Sequence, residues 1–331
     1  MTAAEPSRRR TARFGALRHA VARLLRTPPH RALATIASGR WRPLLRGIHG
    51  VRLAVSRTWL RGQGLEIGAG PDPQPLPDGC TCRYYDLRTP DELRALFGRD
   101  AASMHDVRPI ATAAADFPAG ADFVIAHNVL EHCADPIGAL QGWHDLLRDD
   151  GVVVLSLPDM AHCPDRLRAV ATLEHLLLDH LLQRDERAFE SREHLFSFVN
   201  GWNDAGAFAG KSKDEVARMA HGCATAAEQN DCHWHAFDEA LGRRLIAATA
   251  RLRGRRVEFL NVAAPQRAGA QKTTCDLIYV YRLRPRADGA GDAVDPDAAE
   301  VDAVLRRLAD DLRRAQARIG AALGAAGPAE R

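Results

Sequence analysis

No stretch of this 331-residue chain approaches eighteen consecutive apolar residues, so the sequence offers no helical membrane span. It also lacks a charged start followed by an apolar middle, the pattern of a secretory signal. The seven cysteines are odd in number and scattered, which excludes a disulfide framework and fits a reducing compartment. The one close pair, Cys80-x-Cys82, has no second half to complete a metal site. Aromatic residues make up only 6%, and the basic start of the chain holds no tryptophan beyond Trp41 and Trp59. Without aromatics interleaved among the cations, nucleic-acid binding is not expected. The expected location is the cytoplasm, with peripheral contact at the inner membrane face.

What is present is a core and a charge asymmetry. Hydrophobic residues make up 46%, enough for one medium domain with appendages. Residues 1–61 carry fourteen arginines and one acid, Glu5, a net +13; the whole chain carries +3, so the remainder carries −10. Leu17, Val21, Leu24 and Leu25 recur there at helical spacing behind Arg8-Arg9-Arg10. Such a segment suits either an anionic membrane surface or a helix packed along one edge of a sheet.

The run Gly64-Leu65-Glu66-Ile67-Gly68-Ala69-Gly70 reads as an apolar strand ending in an acid and a glycine pair. Gly68 and Gly70 let the chain turn sharply and let a ligand lie against bare backbone. Glu66 is placed to accept from a cationic or hydroxyl group. A dinucleotide fold wants a third glycine and a helix N-terminus for pyrophosphate. Here Pro71, Pro73, Pro75 and Pro77 follow, and proline blocks a regular helix start of that kind. The pattern therefore fits a nucleoside cofactor without phosphates. Asp86 ends the next strand about twenty residues on, where a carboxylate can accept from both ribose hydroxyls. Thr89 and Glu92 form the capping box of a helix over 91–97, leaving Asp86 for a ligand.

A third strand, 121–127, has a short apolar run from Phe123 to Ala126 and suits a sheet buried on both faces. His127 and Asn128 fall at its carboxyl end, where open α/β sheets bind ligands. A helix through Leu146-Leu147-Arg148, a turn at 149–151 and a strand over 152–157 complete a βαβ unit.

These features together resemble the core of class I methyltransferases, which use S-adenosylmethionine (SAM). The resemblance lies in Leu65-Glu66-Ile67-Gly68-Ala69-Gly70, Tyr85-Asp86, Asp122 to Ala126 running into Val129-Leu130-Glu131-His132, and Leu146-Leu147 before Gly151-Val152-Val153. A bacterial subgroup associated with surface-polysaccharide and glycosyltransferase gene sets is more similar still. Its proline-rich loop, Tyr-x-Asp … Thr-x-Glu-Leu and Pro-Asp … Asp segments match Tyr84 to Asp86, Thr89 to Leu93, Pro158-Asp159 and Asp165-Arg166 here. Its late Asp-x-His-x-His-x-Phe stretch matches Asp231 to Phe237. Asp72 and Arg148-Asp149-Asp150 depart from the family's turn residues without removing a ligand group.

The resemblance implies an α/β fold: a doubly wound, mostly parallel seven-stranded Rossmann-like methyltransferase sheet with an α-helical lid insertion and helical N- and C-terminal appendages. The expected division is a basic arm over 1–60, a methyltransferase domain over 61–285 with the insertion at 160–235, and a linker and C-terminal helix over 286–331. It implies SAM held by Glu66, Gly68, Ala69, Gly70, Asp86, Leu87, Asp106, His127 and Asn128. The implied activity is O-methylation of a sugar, glycan or related small molecule. A non-catalytic scaffold in a surface-glycan assembly is the competing reading, though it has no need of Glu66, Gly68, Gly70 and Asp86.

An alcohol acceptor needs a base, and histidine suits one. His127, His194, His233 and His235 are the candidates; His132, one turn past the strand, is less well placed. On a strand His233 and His235 would face the same side. Substrate contact, metal binding and buried structural roles all fit such a pair. Spacing fixes no third ligand, so no metal is expected. Leu173–Leu182 reads as a helix carrying Glu174, His175, Asp179 and His180. Val301, Leu305, Leu308, Leu312, Ala315 and Ile319 form a short heptad seam, suited to a homo-oligomer or to packing on the core.

Overall fold

In the computed structural model of the protein, the residues described are 48–70, 73–97, 106–183, 192–207, 212, 215, 232–263, 267–268, 271–272, 276–285 and 296–325. The amphipathic arm segment, Asp72 and the linker at 286–295 lie outside them. Seven strands form one sheet: β1 (Gln63–Ile67), β2 (Thr81–Asp86), β3 (Val107–Pro109), β4 (Ala121–His127), β5 (Leu147–Pro158), β6 (Arg255–Ala263) and β7 (Asp276–Pro285). Their order is β3-β2-β1-β4-β5-β7-β6. β1 to β5 pair in parallel, and β7 runs antiparallel to both β5 and β6. The expected seven-stranded, mostly parallel sheet is therefore observed.

Burial on both faces follows from the strand period of two. Val124, Ala126, Val153 and Leu155 face the larger core, with Tyr279 and Tyr281 of β7. It is covered by helices α3 (Pro136–Asp145), α4 (Leu173–Leu181), α6 (Glu239–Leu252) and α7 (Pro296–Ala325). Phe123, Ile125, Val152 and Val154 face the opposite side, where α1 (Ile48–Trp59) covers them with Val55. α1 covers this sheet face, while the arm segment with Leu17, Val21, Leu24 and Leu25 lies outside the described residues. α2 (Pro90–Phe97) opens with the expected capping box: Thr89 N–H donates to Glu92 Oε2 at 2.7 Å and Glu92 N–H to Thr89 Oγ1 at 3.3 Å.

Two elements differ from the sequence reading. The helix before β5 ends at Asp145, and β5 begins at Leu147 rather than 152, with Asp150 at φ 63°. The heptad seam of α7 is partly used within the chain. Val301 and Val304 join the larger core, and Leu305 and Leu308 pack against it. Each buried valine contributes on the order of 1.5–3 kcal/mol. Ion pairs from Arg244 to Glu300 (2.5 Å) and Arg251 to Asp302 (2.7 Å) fix the helix against α6. Among the described residues, no helix is long and apolar enough to cross a membrane.

Candidate functional site

The strand order reverses between β1 and β4, so their carboxyl ends splay and leave a crevice. Gly68 follows β1 with φ 64° and Gly70 has φ 54°, both in the left-handed region. A Cβ on Gly68 would lie 2.6 Å from Val129 Cγ2, so the backbone there passes hard against the β4 loop. Gly68 N–H donates to Tyr85 O at 2.8 Å, tying the glycine turn to the end of β2. Asp86 closes β2, its Oδ1 accepting from Arg88 N–H at 2.9 Å. Partial burial raises its pKa somewhat, against the lowering effect of that hydrogen bond. Leu87 beside it is 75% exposed, an uncovered apolar side chain at the lip of the crevice. Asn128 sits across from them at φ 52°, a conformation asparagine tolerates, with its N–H on Ser156 O at 3.1 Å. The glycine cradle, Asp86 and Leu87 offer bare backbone, a carboxylate and an apolar surface, which fit a nucleoside. Glu131 adds a buried Oε2 with no hydrogen-bond partner.

Glu66 and His127 are corrected in role. Their side chains point to the α1 face of the sheet. Both Glu66 oxygens accept from Gln74 N–H, at 3.0 and 2.9 Å, so this acid pins the proline-rich loop. Burial raises its pKa to about 7, against the lowering effects of that N–H and of Arg52. His127 has both ring nitrogens taken, Nδ1 by Ser156 Oγ at 2.8 Å and Nε2 by Gln74 Oε1 at 2.7 Å. Burial holds its pKa well below the ordinary value, so it stays neutral and braces the loop rather than serving as a base. Asp106 is corrected too. Asp86 pairs with Pro109, so exposed Asp106 lies three residues, about 10 Å, back along β3 from the crevice.

The segment 232–237 is not a strand face. Trp234 N–H donates to Glu131 O at 2.7 Å, and Met160 N–H to Phe237 O at 2.8 Å. Arg168 clamps the segment from beneath, donating to His233 O at 2.8 Å and Trp234 O at 3.1 Å. So held, His233 and His235 enter separate clusters.

His233 Nδ1 lies 2.6 Å from Asp165 Oδ2. Asp165 is 1% exposed and also accepts from Arg168 NH1 and Trp202 Nε1, both at 2.8 Å. Burial pushes its pKa up, but the His233 and Arg168 contacts outweigh it and hold the carboxyl below its usual range. The carboxylate therefore accepts from Nδ1–H, and that tautomer puts the ring's lone pair on His233 Nε2. His132 stands edge-on to His233 with ring centroids 4.9 Å apart. Its Nδ1 is on Cys232 O at 3.1 Å, and burial, with His233 adding to it, lowers its pKa to about 3. Glu131, His132 and His233 each bring one polar atom within 4.8 Å of the other two. Glu131 is fully enclosed, and burial keeps its carboxyl protonated well above the usual range.

The other cluster takes His235 and His194, which are corrected away from the base position. His235 Nε2 is 3.0 Å from Asp179 Oδ2, and His194 Nε2 is 2.8 Å from His175 Nε2. His194 belongs to α5 (Arg192–Asp204), and His175 and Asp179 lie one turn apart on α4. His235 is thus joined by two more rings, His175 and His194, and by an acid, Asp179, from neighbouring helices. Asp165 as a partner of His233 was not legible, since 68 residues separate them. Its only sequence signal was its place in the Pro-Asp … Asp segment.

A model of the methyltransferase-domain family matches residues 10–202. No curated protein of known function matches the sequence. Among solved structures, a SAM-dependent methyltransferase from Clostridium acetobutylicum is 9% identical with a TM-score of 0.37, covering 77% of this chain and 99% of that one. One from Thermotoga maritima, described as a possible histamine N-methyltransferase, is 11% identical at a TM-score of 0.36, covering 76% and 96%. The CurJ carbon methyltransferase is 14% identical at 0.32, covering 67% of this chain; the match spans about half of that chain, 48%. The family match extends over more than half of the chain and includes the glycine turn, Asp86 and the β4 crevice. The chain belongs to the methyltransferase-domain family.

Proposed function

We propose that this protein methylates a hydroxyl oxygen of a small polar acceptor, with His233 as the base. The observation that carries it is the His233–Asp165 pair, 2.6 Å apart, beside the loop that follows β4. Gly68, Gly70, Asp86, Leu87 and Asn128 are the residues that would hold SAM. When bound, SAM supplies an electrophilic methyl group on a sulfonium. The protein's own work is alignment and proton removal. Asp165 fixes the His233 tautomer, so Nε2 can take the acceptor's proton as its oxygen turns nucleophilic. Protonated Glu131 and neutral His132 line the same place without adding charge. With Asp165 offset by its ion pair to Arg168 at 2.8 Å, the place carries no unbalanced charge, which suits an acceptor with no charge of its own.

A sugar or glycan hydroxyl fits that description, and it is also what the resemblance to the surface-polysaccharide subgroup implies. The test is a panel of free sugars, nucleotide sugars and phenols incubated with SAM, read as S-adenosylhomocysteine release. Turnover confined to sugar hydroxyls supports the reading. Turnover confined to amine or carbon acceptors would overturn it.

A further inference from the structure

We propose that His175, Asp179, His194 and His235 form a closed binding site for a divalent transition metal, zinc above all. Four side chains from three separate stretches of chain, α4, α5 and the segment 232–237, aim one ligand atom each at a common point. Asp179 Oδ2 lies 3.3 Å from His175 Nε2, 3.4 Å from His194 Nε2 and 3.0 Å from His235 Nε2. His175 Nε2 and His194 Nε2 are 2.8 Å apart, and all four atoms lie within 4.8 Å of one another. A tetrahedral zinc ion with bonds of about 2.0–2.1 Å separates its ligand atoms by roughly 3.3 Å. The cluster already approximates that figure.

Hydrogen bonding within the cluster accounts for it poorly. One carboxylate oxygen has two in-plane lone pairs, yet three rings converge on Asp179 Oδ2. Two neutral imidazole nitrogens facing each other can share only one proton. A cation at the centre uses all four lone pairs at once. Asp179 and His235 are almost wholly enclosed. His175, with 37% of its side chain exposed, gives an ion a way in. Three imidazoles and a carboxylate suit zinc and leave no open position, which marks a structural site. His175 and Asp179 sit four residues apart on one face of α4, so the helix presents both ligands together. Such an ion would staple α4 and α5 to the segment that carries His233, and it does not depend on the assignment of the methyl acceptor.

The test is elemental analysis of the full chain, purified without chelator or affinity metal, followed by cobalt substitution. The expected result is about one equivalent of zinc per chain, and a visible cobalt spectrum of tetrahedral intensity. The variants Asp179→Asn and His235→Ala should each drop below about a tenth of an equivalent. Because either variant could fold poorly, the wild-type protein is also heated with and without a strong chelator, and loss of metal should lower its Tm. Substoichiometric metal, with an octahedral or absent cobalt spectrum and a chelator-insensitive Tm, would overturn the proposal. So would full zinc retention in a folded Asp179→Asn, His235→Ala double variant.

Discussion

His233 and Asp165 meet at 2.6 Å across 68 residues of chain, and three further donors, from Arg168, Trp202 and Cys163, hold the carboxylate in place. A carboxylate so fully engaged positions the imidazole and sets its tautomer. Asp165→Asn should therefore lower turnover by about 10²- to 10⁴-fold while leaving SAM affinity within about twofold. Steady-state kinetics alongside calorimetry checks both halves. Equal losses of kcat and SAM binding would point to local collapse instead.

Asp86 is the acid at the crevice with a clear line to a ligand. Asp86→Ala removes a charge-assisted contact to ribose hydroxyls, and SAM affinity should fall by about 2–3 kcal/mol, roughly 30- to 150-fold. Isothermal titration reads this directly. Unchanged affinity would remove Asp86 from the cofactor site.

Gly68 at φ 64° is crowded by Val129. Gly68→Ala would place a methyl 2.6 Å from Val129 Cγ2 in an unfavourable backbone region. The expected cost is about 1–3 kcal/mol of stability, with weaker SAM binding besides. Denaturant melts of the two proteins measure the first, and a second substitution, Val129→Ala, should recover part of it.

Glu66 gives a pH dependence with a definite sign. Its pKa is about 7 in the folded protein against 4.5 as the ordinary value. The folded state therefore binds the extra proton between those values, and stability contributed by this group falls as pH rises from about 4.5 through about 7. The upper limit is about 3 kcal/mol. Glu66→Gln should flatten the wild-type decline in denaturation free energy over that window. A mutant curve parallel to wild type would show that Glu66 keeps an ordinary pKa.

Local pattern carried much of the fold. The short apolar runs in 121–127 and 152–157 marked strands buried on both faces, and the Thr89–Glu92 pair marked a helix start, because these are short-range consequences of strand burial and capping. The glycine turn and Asp86 were legible for the same reason. What local pattern could not supply was side-chain destination. His127 does end β4, but strand alternation turns it to the α1 face, beneath Gln74. His233 and His235 were expected to share a face; instead, a backbone bond from Trp234 to Glu131 and guanidinium bonds from Arg168 to the 233 and 234 carbonyls bend the segment, so each ring finds its own acid. Asp165 and Asp179 are long-range partners, and no periodicity reports them.

The measurement that bears most directly on the mechanism is the turnover of His233→Asn beside wild type, with SAM affinity measured on the same preparations. Asparagine keeps hydrogen-bonding capacity at that position but cannot accept a proton near neutral pH. The expected result is a rate lower by about 10²- to 10⁴-fold with SAM affinity unchanged. Full activity in the His233→Asn protein would contradict the assignment of His233 as the base.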